Sequence, residues 1–341
     1  MNGPKDRTAT VAADDDGIRL DRWFRRHHPA LGHGALEKLL RTGWVRLDGK
    51  RAKAGDRVAA GQVIRLPPPG LLAEGEKAQH ETAAPKPVRP AMDGSRLKDL
   101  ILYRDDVVIV LNKPSGLATQ GGSGLTEHID GMLDALMFER KQRPRLVHRL
   151  DRDTSGVLVI ARTPSAAAAL AESLRHRDAS KIYWALTRGV PQKLRGTIRL
   201  ALAKEGGHGP HGRDERMVAK DAGEDAKRAV TDYAVIDRAA ADFAWVAARP
   251  VTGRTHQIRV HLAELGTPIV GDFKYGGTDA RPRGEIEDRL HLHARSIDIA
   301  HPSGGRLRVT APLPPHMMHT WSLLGFDPDL QTNPFGAART R

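Results

Sequence analysis

The chain contains no cysteine. Disulfides and thiolate metal sites are therefore excluded, and the sequence carries no mark of a redox compartment. No apolar run approaches the roughly 20 residues that a membrane-spanning helix requires. The N-terminus, residues 1–17, carries Asp14, Asp15 and Asp16 and has no apolar core. It reads neither as a secretory signal nor as an Arg-rich transit peptide. These absences predict a soluble cytoplasmic protein with no membrane partner. Negative charge is also in deficit. There are 54 Lys or Arg against 41 Asp or Glu, a formal net charge of +13. The isoelectric point lies near 10.2. A balance of that sign favours a polyanion, RNA or DNA rather than a membrane surface.

At 341 residues the chain suits two domains better than one. Residues 1–16 are polar and aperiodic, which predicts disorder. Residues 17–67 read as a small α/β module. Leu20, Trp23 and Phe24 share one helix face, and Leu36, Leu39 and Leu40 repeat the spacing before Gly43. Trp44 to Leu47, a turn at Asp48-Gly49, and Gln62 to Leu66 read as strands, stopped by Pro67-Pro68-Pro69. Between Arg19 and Arg65 stand 12 Lys or Arg and 4 Asp or Glu. Arg22, Arg25 and Arg26 fall on the first helix, Lys38 and Arg41 on the second. Such a cluster neutralises phosphates and positions RNA without reading its sequence; the alternative is a merely solvated basic face. Residues 68–95, rich in Pro, Ala, Glu and Lys, read as a linker.

A larger domain, residues 96–325, follows, with a tail at 326–341. Strands are predicted at Val107 to Leu111, Lys181 to Leu186, Phe243 to Val251 and Leu290 to Ala294, and helices at Thr126 to Glu139 and Pro164 to Arg175. Residues 204–228, with His208 and His211, read as a surface loop. Thr255 is placed to N-cap a helix whose core face is Ile258, Leu262 and Leu265, with Gly266 as its terminator.

Within this domain His148-Arg149-Leu150-Asp151-Arg152-Asp153-Thr154-Ser155-Gly156 runs into Val157-Leu158-Val159-Ile160-Ala161. The second part is short, β-branched and continuous, the pattern of a buried strand. The first part is a turn, because Asp, Thr and Ser bond their own backbone and Gly permits the bend. A carboxylate at the mouth of a buried strand is fixed yet reachable. That suits an anionic nucleophile or base; an Asx-turn that only caps the strand is the alternative. Other chemistries lack their parts. A calcium loop starting at Asp151 would need Glu at its twelfth position, where Arg162 stands. The run Gln120-Gly121-Gly122-Ser123-Gly124 lacks the Lys-Ser/Thr ending of a phosphate loop. His291 and His293 share a strand face but have no third ligand at suitable spacing, so no metal site is expected.

The stretch H-R-L-D-x-x-T-S-G at 148–156 resembles the catalytic motif of the pseudouridine synthases of the large-subunit rRNA type. Asn112-Lys113-Pro114 with Gly116, Lys181-Ile182-Tyr183-Trp184-Ala185, Gly253 to His261, Leu292-His293-Ala294, His301-Pro302 and Ala311 to Pro314 match further motifs of that family in order. The resemblance spans roughly residues 17–320, and the N-terminal part is similar to an S4 RNA-binding domain. The N-terminal module and the run Gly43 to Pro67 most resemble the C type among the bacterial large-subunit enzymes. Gln120 stands where the family usually carries His.

The resemblance implies an α+β protein: an S4-like module, then a catalytic domain with a mixed, largely antiparallel sheet. It implies an isomerase that converts uridines to pseudouridine, foremost in 23S rRNA with tRNA as the alternative, working as a monomer without cofactor or metal. Asp151 would be the catalytic carboxylate, as nucleophile or as base. Aspartate has the right chemistry, with a reference pKa of about 3.9. A buried carboxylate needs a cation to stay charged, and Arg259 is the partner the family offers. Tyr183 would stack on a flipped uracil, its hydroxyl near the proton transfers. His148 and Arg149 would help fill the vacated stack, and Arg254 would hold a phosphate. Two other classes compete: a non-catalytic RNA-binding protein on the same fold, and a metal-dependent phosphodiesterase. Asp151, Tyr183 and Arg259 together argue against the first, and the missing ligand cluster against the second.

Overall fold

Short strand-forming runs dominate the chain, and two separate groups of them close into two sheets. The computed structural model describes residues 7–28, 31, 33–68, 94–121, 127–176, 178–206, 216–220, 226–330 and 334–336. The chain divides into two compact units, Met1–Ala91 and Met92–Arg341.

The first unit contains β1 (Arg7–Thr10), α1 (Leu20–His27), α2 (His33–Arg41), β2 (Arg46–Leu47), β3 (Lys50–Arg51) and β4 (Val63–Leu66). Its sheet order is β1-β4-β2-β3. Leu20, Trp23, Phe24, Leu36, Leu39 and Leu40 are buried together, as their spacing predicts. The expected disorder of residues 1–16 is overturned for residues 7–16. There β1 pairs antiparallel with β4, and Val11 joins the core. One apolar residue among polar ones gives no period, so only the tertiary pairing reveals this strand. Asp15 is also buried, and its carboxylate meets Arg26 Nη1 at 2.8 Å and His27 Nε2 at 2.6 Å. Most of the predicted linker, 69–93, lies outside the described residues.

The second unit carries β5 (Ile101–Arg104), β6 (Val108–Lys113), α3 (Ile129–Met132), β7 (Arg145–Leu146), β8 (Ser155–Ala161), α4 (Pro164–Ser173), β9 (Ser180–Arg188), β10 (Arg195–Glu205), β11 (Arg216–Lys220), β12 (Lys227–Ala239) and β13 (Phe243–Pro250). These are followed by α5 (Gln257–Glu264), α6 (Phe273–Gly276), β14 (Leu292–Ala300), β15 (Arg306–Thr310) and α7 (Pro315–Leu324). The main sheet runs β11-β10-β12-β13-β9-β14-β8-β6-β5, with β15 on β14 and β7 on β8. Among the described residues, only β8 with β14 pairs in parallel; every other strand pair is antiparallel. The fold is thus α+β with a mixed, largely antiparallel sheet, as expected. Every residue of β8 is buried, which is why its sequence reads as a continuous apolar run rather than an alternating one.

Four expectations differ. The helix foreseen from Thr126 to Glu139 is only α3 and a 3-10 turn, Leu133–Leu136, ending before Phe138 at φ 50°. The loop foreseen at 204–228 contains β11, hydrogen-bonded to β10; residues 207–215 and 221–225, with His208 and His211, lie outside the described set. The foreseen strand from Leu290 starts at Leu292. The tail does not begin at 326, because Phe326 is buried against Trp245 and Trp321.

The parallel join of β8 to β14 depends on Gly156. Its φ is +108°, and a Cβ there would overlap the backbone carbonyl of Ala294. Left-handed backbone and overpacking each cost a non-glycine residue about 1–3 kcal/mol. Gly156→Ala is expected to lose roughly 2–5 kcal/mol in urea unfolding. A loss under about 1 kcal/mol would show that the join can open to admit a methyl group.

Candidate active site

The turn bearing Asp151 is held from beneath. Thr119 Oγ1 donates to the Leu150 carbonyl at 2.7 Å and accepts from the Leu150 amide at 3.2 Å. The Thr154 amide donates to the Asp151 carbonyl at 3.2 Å, closing the turn. Lys113, at the end of β6, is fully buried. Its Nζ donates to the carbonyls of Pro114, Leu117 and Arg152 at 2.9, 2.7 and 2.9 Å. Burial pushes this ammonium down to about 7, against the pull of Asp153 and Asp151. Three carbonyl acceptors match the three donors that only the charged form possesses. Ser115 Oγ adds a bond to the Asp153 carbonyl at 2.9 Å. The Asn112-Lys113-Pro114 motif is therefore a brace under the Asp151 turn, a role that its sequence spacing did not disclose.

The second side comes from α5 and the turn before α6. Arg259 was expected to pair with Asp151. Its tight partner is instead Asp272, which takes Nε at 2.8 Å and Nη2 at 2.7 Å in a buried bidentate pair. Nη1 remains, 3.9 Å from Asp151 Oδ2. The desolvation of Arg259 is outweighed by Asp272 and Asp151, which hold its pKa above the ordinary arginine value. His256 Nε2 lies 3.7 Å from the other Asp151 oxygen. The start of α5 differs from expectation. Thr255 does not cap it; the cap position is His256, in left-handed backbone, with no side-chain cap bond. Gln257 does the stapling, its Oε1 accepting from Thr252 Oγ1 and the Arg254 amide at 2.7 and 3.1 Å. Ile258 and Leu262 are buried as foreseen, but Leu265, after the last helical residue, is 38 % exposed.

Asp151, Tyr183, His256 and Arg259 line one cleft of about 320 Å³, with Leu292 and the rim residues Arg149 and Arg254. Tyr183 stands on β9, and burial, then Asp151, raises its pKa well above that of a free phenol. It is an O–H donor at neutral pH, not a phenolate. His148 lines the cleft too, but its Nε2 accepts from the Val159 amide at 2.8 Å. Burial, then Lys181, pushes its pKa down to about 4. That ring is a neutral tie to β8 on the cleft wall. Arg149 and Arg254 are exposed, and Arg254 Nε donates to the Arg228 carbonyl at 3.3 Å.

On the first unit, Arg22, Arg25, Lys38 and Arg41 are exposed. Arg26 differs, being bound to buried Asp15. His291 and His293 are core residues: His291 bonds Thr320 Oγ1 at 2.9 Å, and His293 bonds Ser155 Oγ at 2.9 Å. Among the described residues no group of three His, Asp or Glu could hold a metal ion. Gln120 is exposed beside Gly121, which packs on the His128 ring.

Residues 107–264, which carry most of this cleft, match the RNA pseudouridylate synthase family. Ribosomal large subunit pseudouridine synthase C of Salmonella typhimurium is 39 % identical over 91 % of this chain and 94 % of its own. The chain belongs to the RNA pseudouridine synthases. Mitochondrial RNA pseudouridine synthase 4 of Arabidopsis thaliana is 34 % identical over 92 % of this chain and 80 % of its own. Among solved structures, human RNA pseudouridylate synthase domain containing 4 superposes with a TM-score of 0.57 at 30 % identity. That match covers 68 % of this chain and 95 % of the human one.

Sequence reasoning missed Asp272, Tyr275 and His256 in this synthase. A signal for Asp272 existed: a cation on a buried helix face demands a counter-charge, and Gly271-Asp272 follows the apolar pair Ile269-Val270. Removing one partner of a buried pair costs about 3–5 kcal/mol. Asp272→Ala is expected to lose that much in chemical denaturation at neutral pH. A loss below about 1 kcal/mol would mean that water or Asp151 takes over the guanidinium.

Proposed function

We propose that Asp151 is the carboxylate on which the isomerisation turns, with Arg259 and Tyr183 as its companions, and that large-subunit rRNA is the substrate. The carrying observation is that both Asp151 oxygens face a cation-capable group within 4 Å, at Arg259 and His256, inside a cleft. The net reaction breaks the bond from ribose C1′ to N1, joins C1′ to C5, and moves the C5 proton to N1. It is redox-neutral. A carboxylate near C1′, C2′ or C6 can attack the sugar or base, or remove a sugar proton. Arg259 sets a fixed positive charge beside that carboxylate. The neutral Tyr183 offers a ring face for the detached uracil and a hydroxyl for proton exchange. The target base has to leave its stack to enter so confined a site.

The substrate reading rests on the bacterial relatives, whose names specify the ribosomal large subunit, and on the basic first unit, which we read as S4-like. Arg22, Arg25, Lys38 and Arg41 would grip phosphates there, and Arg149 and Arg254 at the cleft rim. One chain holds Asp151, Tyr183 and Arg259 in a single cleft, which supports a working monomer, placed in the cytoplasm with its RNA.

Asp151→Asn keeps the side-chain shape but can act neither as nucleophile nor as base. It is expected to abolish tritium release from RNA labelled at uridine C5 while RNA affinity by filter binding stays near wild type. Appreciable release would sink the assignment. Replacing Arg22, Arg25, Lys38 and Arg41 together by Ala should flatten the salt dependence of rRNA binding. The expected change is roughly 0.7–0.9 in log–log slope for each phosphate that is no longer neutralised. Single-turnover rates at saturating RNA should hold. An unchanged slope would make this module a protein-docking unit instead.

A further inference from the structure

His256 has φ 53° and ψ 18°, left-handed backbone that non-glycine residues seldom adopt. Something has to over-determine it. Its Nδ1 lies 2.6 Å from the Tyr275 hydroxyl, and the two rings meet edge to face at 5.5 Å. Tyr275 in turn accepts the Met217 amide of β11 at 3.1 Å. Its ring packs with Met217, Leu202 and Val260, and between the guanidinium groups of Arg216 and Arg259 at 5.7 and 5.1 Å.

These bonds have a direction. A main-chain N–H can only donate, so Met217 occupies a lone pair of the phenol oxygen. Burial keeps that phenol protonated. Its hydrogen is then free to go to His256 Nδ1, and in that arrangement Nδ1 is the acceptor. A neutral imidazole whose Nδ1 accepts carries its own proton on Nε2. Nε2 is the nitrogen that faces Asp151 Oδ1, at 3.7 Å. The groups facing His256 are Asp151, Arg259, Lys274, Asp272 and Tyr275. Burial dominates among these influences and keeps the ring neutral, with Asp151 opposing it. At 3.7 Å this contact is longer than a hydrogen bond, and catalytic contacts of this kind tighten once substrate is in place.

We propose that Tyr275 and His256 are a positioning pair: Tyr275, anchored on β11, fixes the Nε2–H tautomer of His256, and that N–H steers the Asp151 carboxylate. This rests on Asp151 being the reacting carboxylate. Neither residue touches the bond being broken; they act through Asp151. Hydrogen bonds thereby run from β11 through Tyr275 to His256, and a 3.7 Å contact carries on from His256 to Asp151.

The test uses the full-length chain. Nitrogen NMR of histidine-labelled protein should show His256 as the Nε2–H tautomer, and Tyr275→Phe should turn it into a mixture. In single turnover at saturating RNA, Tyr275→Phe should slow the reaction about tenfold, the worth of one well-placed hydrogen bond. RNA affinity should be unchanged. His256→Gln presents an amide N–H to Asp151 with no tautomer to choose. Whatever rate that variant has of its own, Tyr275→Phe should cost nothing more in its background. A wild-type His256 protonated on Nδ1 would overturn the pair. So would an equal loss from Tyr275→Phe in the His256→Gln background, which would mean weakened packing rather than a changed tautomer. If Asp151→Asn kept turnover, the reading of Asp151 would fall, whereas the NMR result would still decide the tautomer on its own.

Discussion

One buried ion pair sets the geometry of the cleft. Arg259 lies on α5 with almost no solvent contact, and a guanidinium so placed requires a carboxylate. Asp272 meets that need with two parallel bonds at 2.7 and 2.8 Å. Such a fork fixes the plane of the guanidinium and not only its place. Nη1 is left over, aimed at Asp151 from 3.9 Å. Had Arg259 forked onto Asp151 directly, both carboxylate oxygens would be consumed by a structural bond. Because Asp272 bears that role, Asp151 keeps a fixed counter-charge while its side chain stays 20 % exposed to the cleft.

The opposite wall is fixed by different means. Lys113 gathers three carbonyls from two separated stretches, so the end of β6 and the Asp151 turn move as one body. The parallel join of β8 to β14, open only to glycine at position 156, brings the same turn against the strand that packs on β9 and Tyr183. A side chain that is to be held within a few tenths of an ångström needs supports on several sides. Here those supports come from β6, β8, α5 and the turn before α6.

This division explains what the sequence disclosed. Continuous apolar runs announced β6 and β8, because strands buried on both faces need no alternation. The Ala-rich run from Pro164 announced α4, and the Thr163 Oγ1 cap on the Ala166 amide at 3.1 Å came to light only in the structure. The Asp turn was legible as fixed yet reachable. Tertiary partners were not. Asp272 lies 13 residues from Arg259 and across a turn, so no local period connects them. Tyr183 and Arg259 were placed only through a family resemblance, since a tyrosine in a half-buried strand carries no signal by itself. For His148 the motif position beside Asp151 suggested contact with substrate but gave no sign of its main-chain partner. Its proximity to the Val159 amide could only be seen once the chain turned back on itself. The N-terminal strand failed for the same reason: Arg7–Thr10 becomes a strand only because β4 offers it an edge.

Burial also sorts the charges of the cleft. Desolvation drives His148 to about 4 and raises the Tyr183 phenol. At neutral pH these two groups are uncharged, so the charges at the cleft wall are those of Asp151, of Arg259 with its partner Asp272, and of Lys181. A neutral uracil can enter such a space at little electrostatic cost, whereas a phosphate would meet Asp151. The exposed cations, Arg149 and Arg254, stand at the rim instead. There water and salt screen them, with a Debye length of about 8 Å at physiological ionic strength. Salt should therefore act on how RNA is held and hardly at all on the step at Asp151, because the interactions that matter inside lie within 4 Å of one another and away from bulk ions. The separation of charge by depth thus lets a basic protein grip a polyanion without drawing a phosphate into the site where the base is turned.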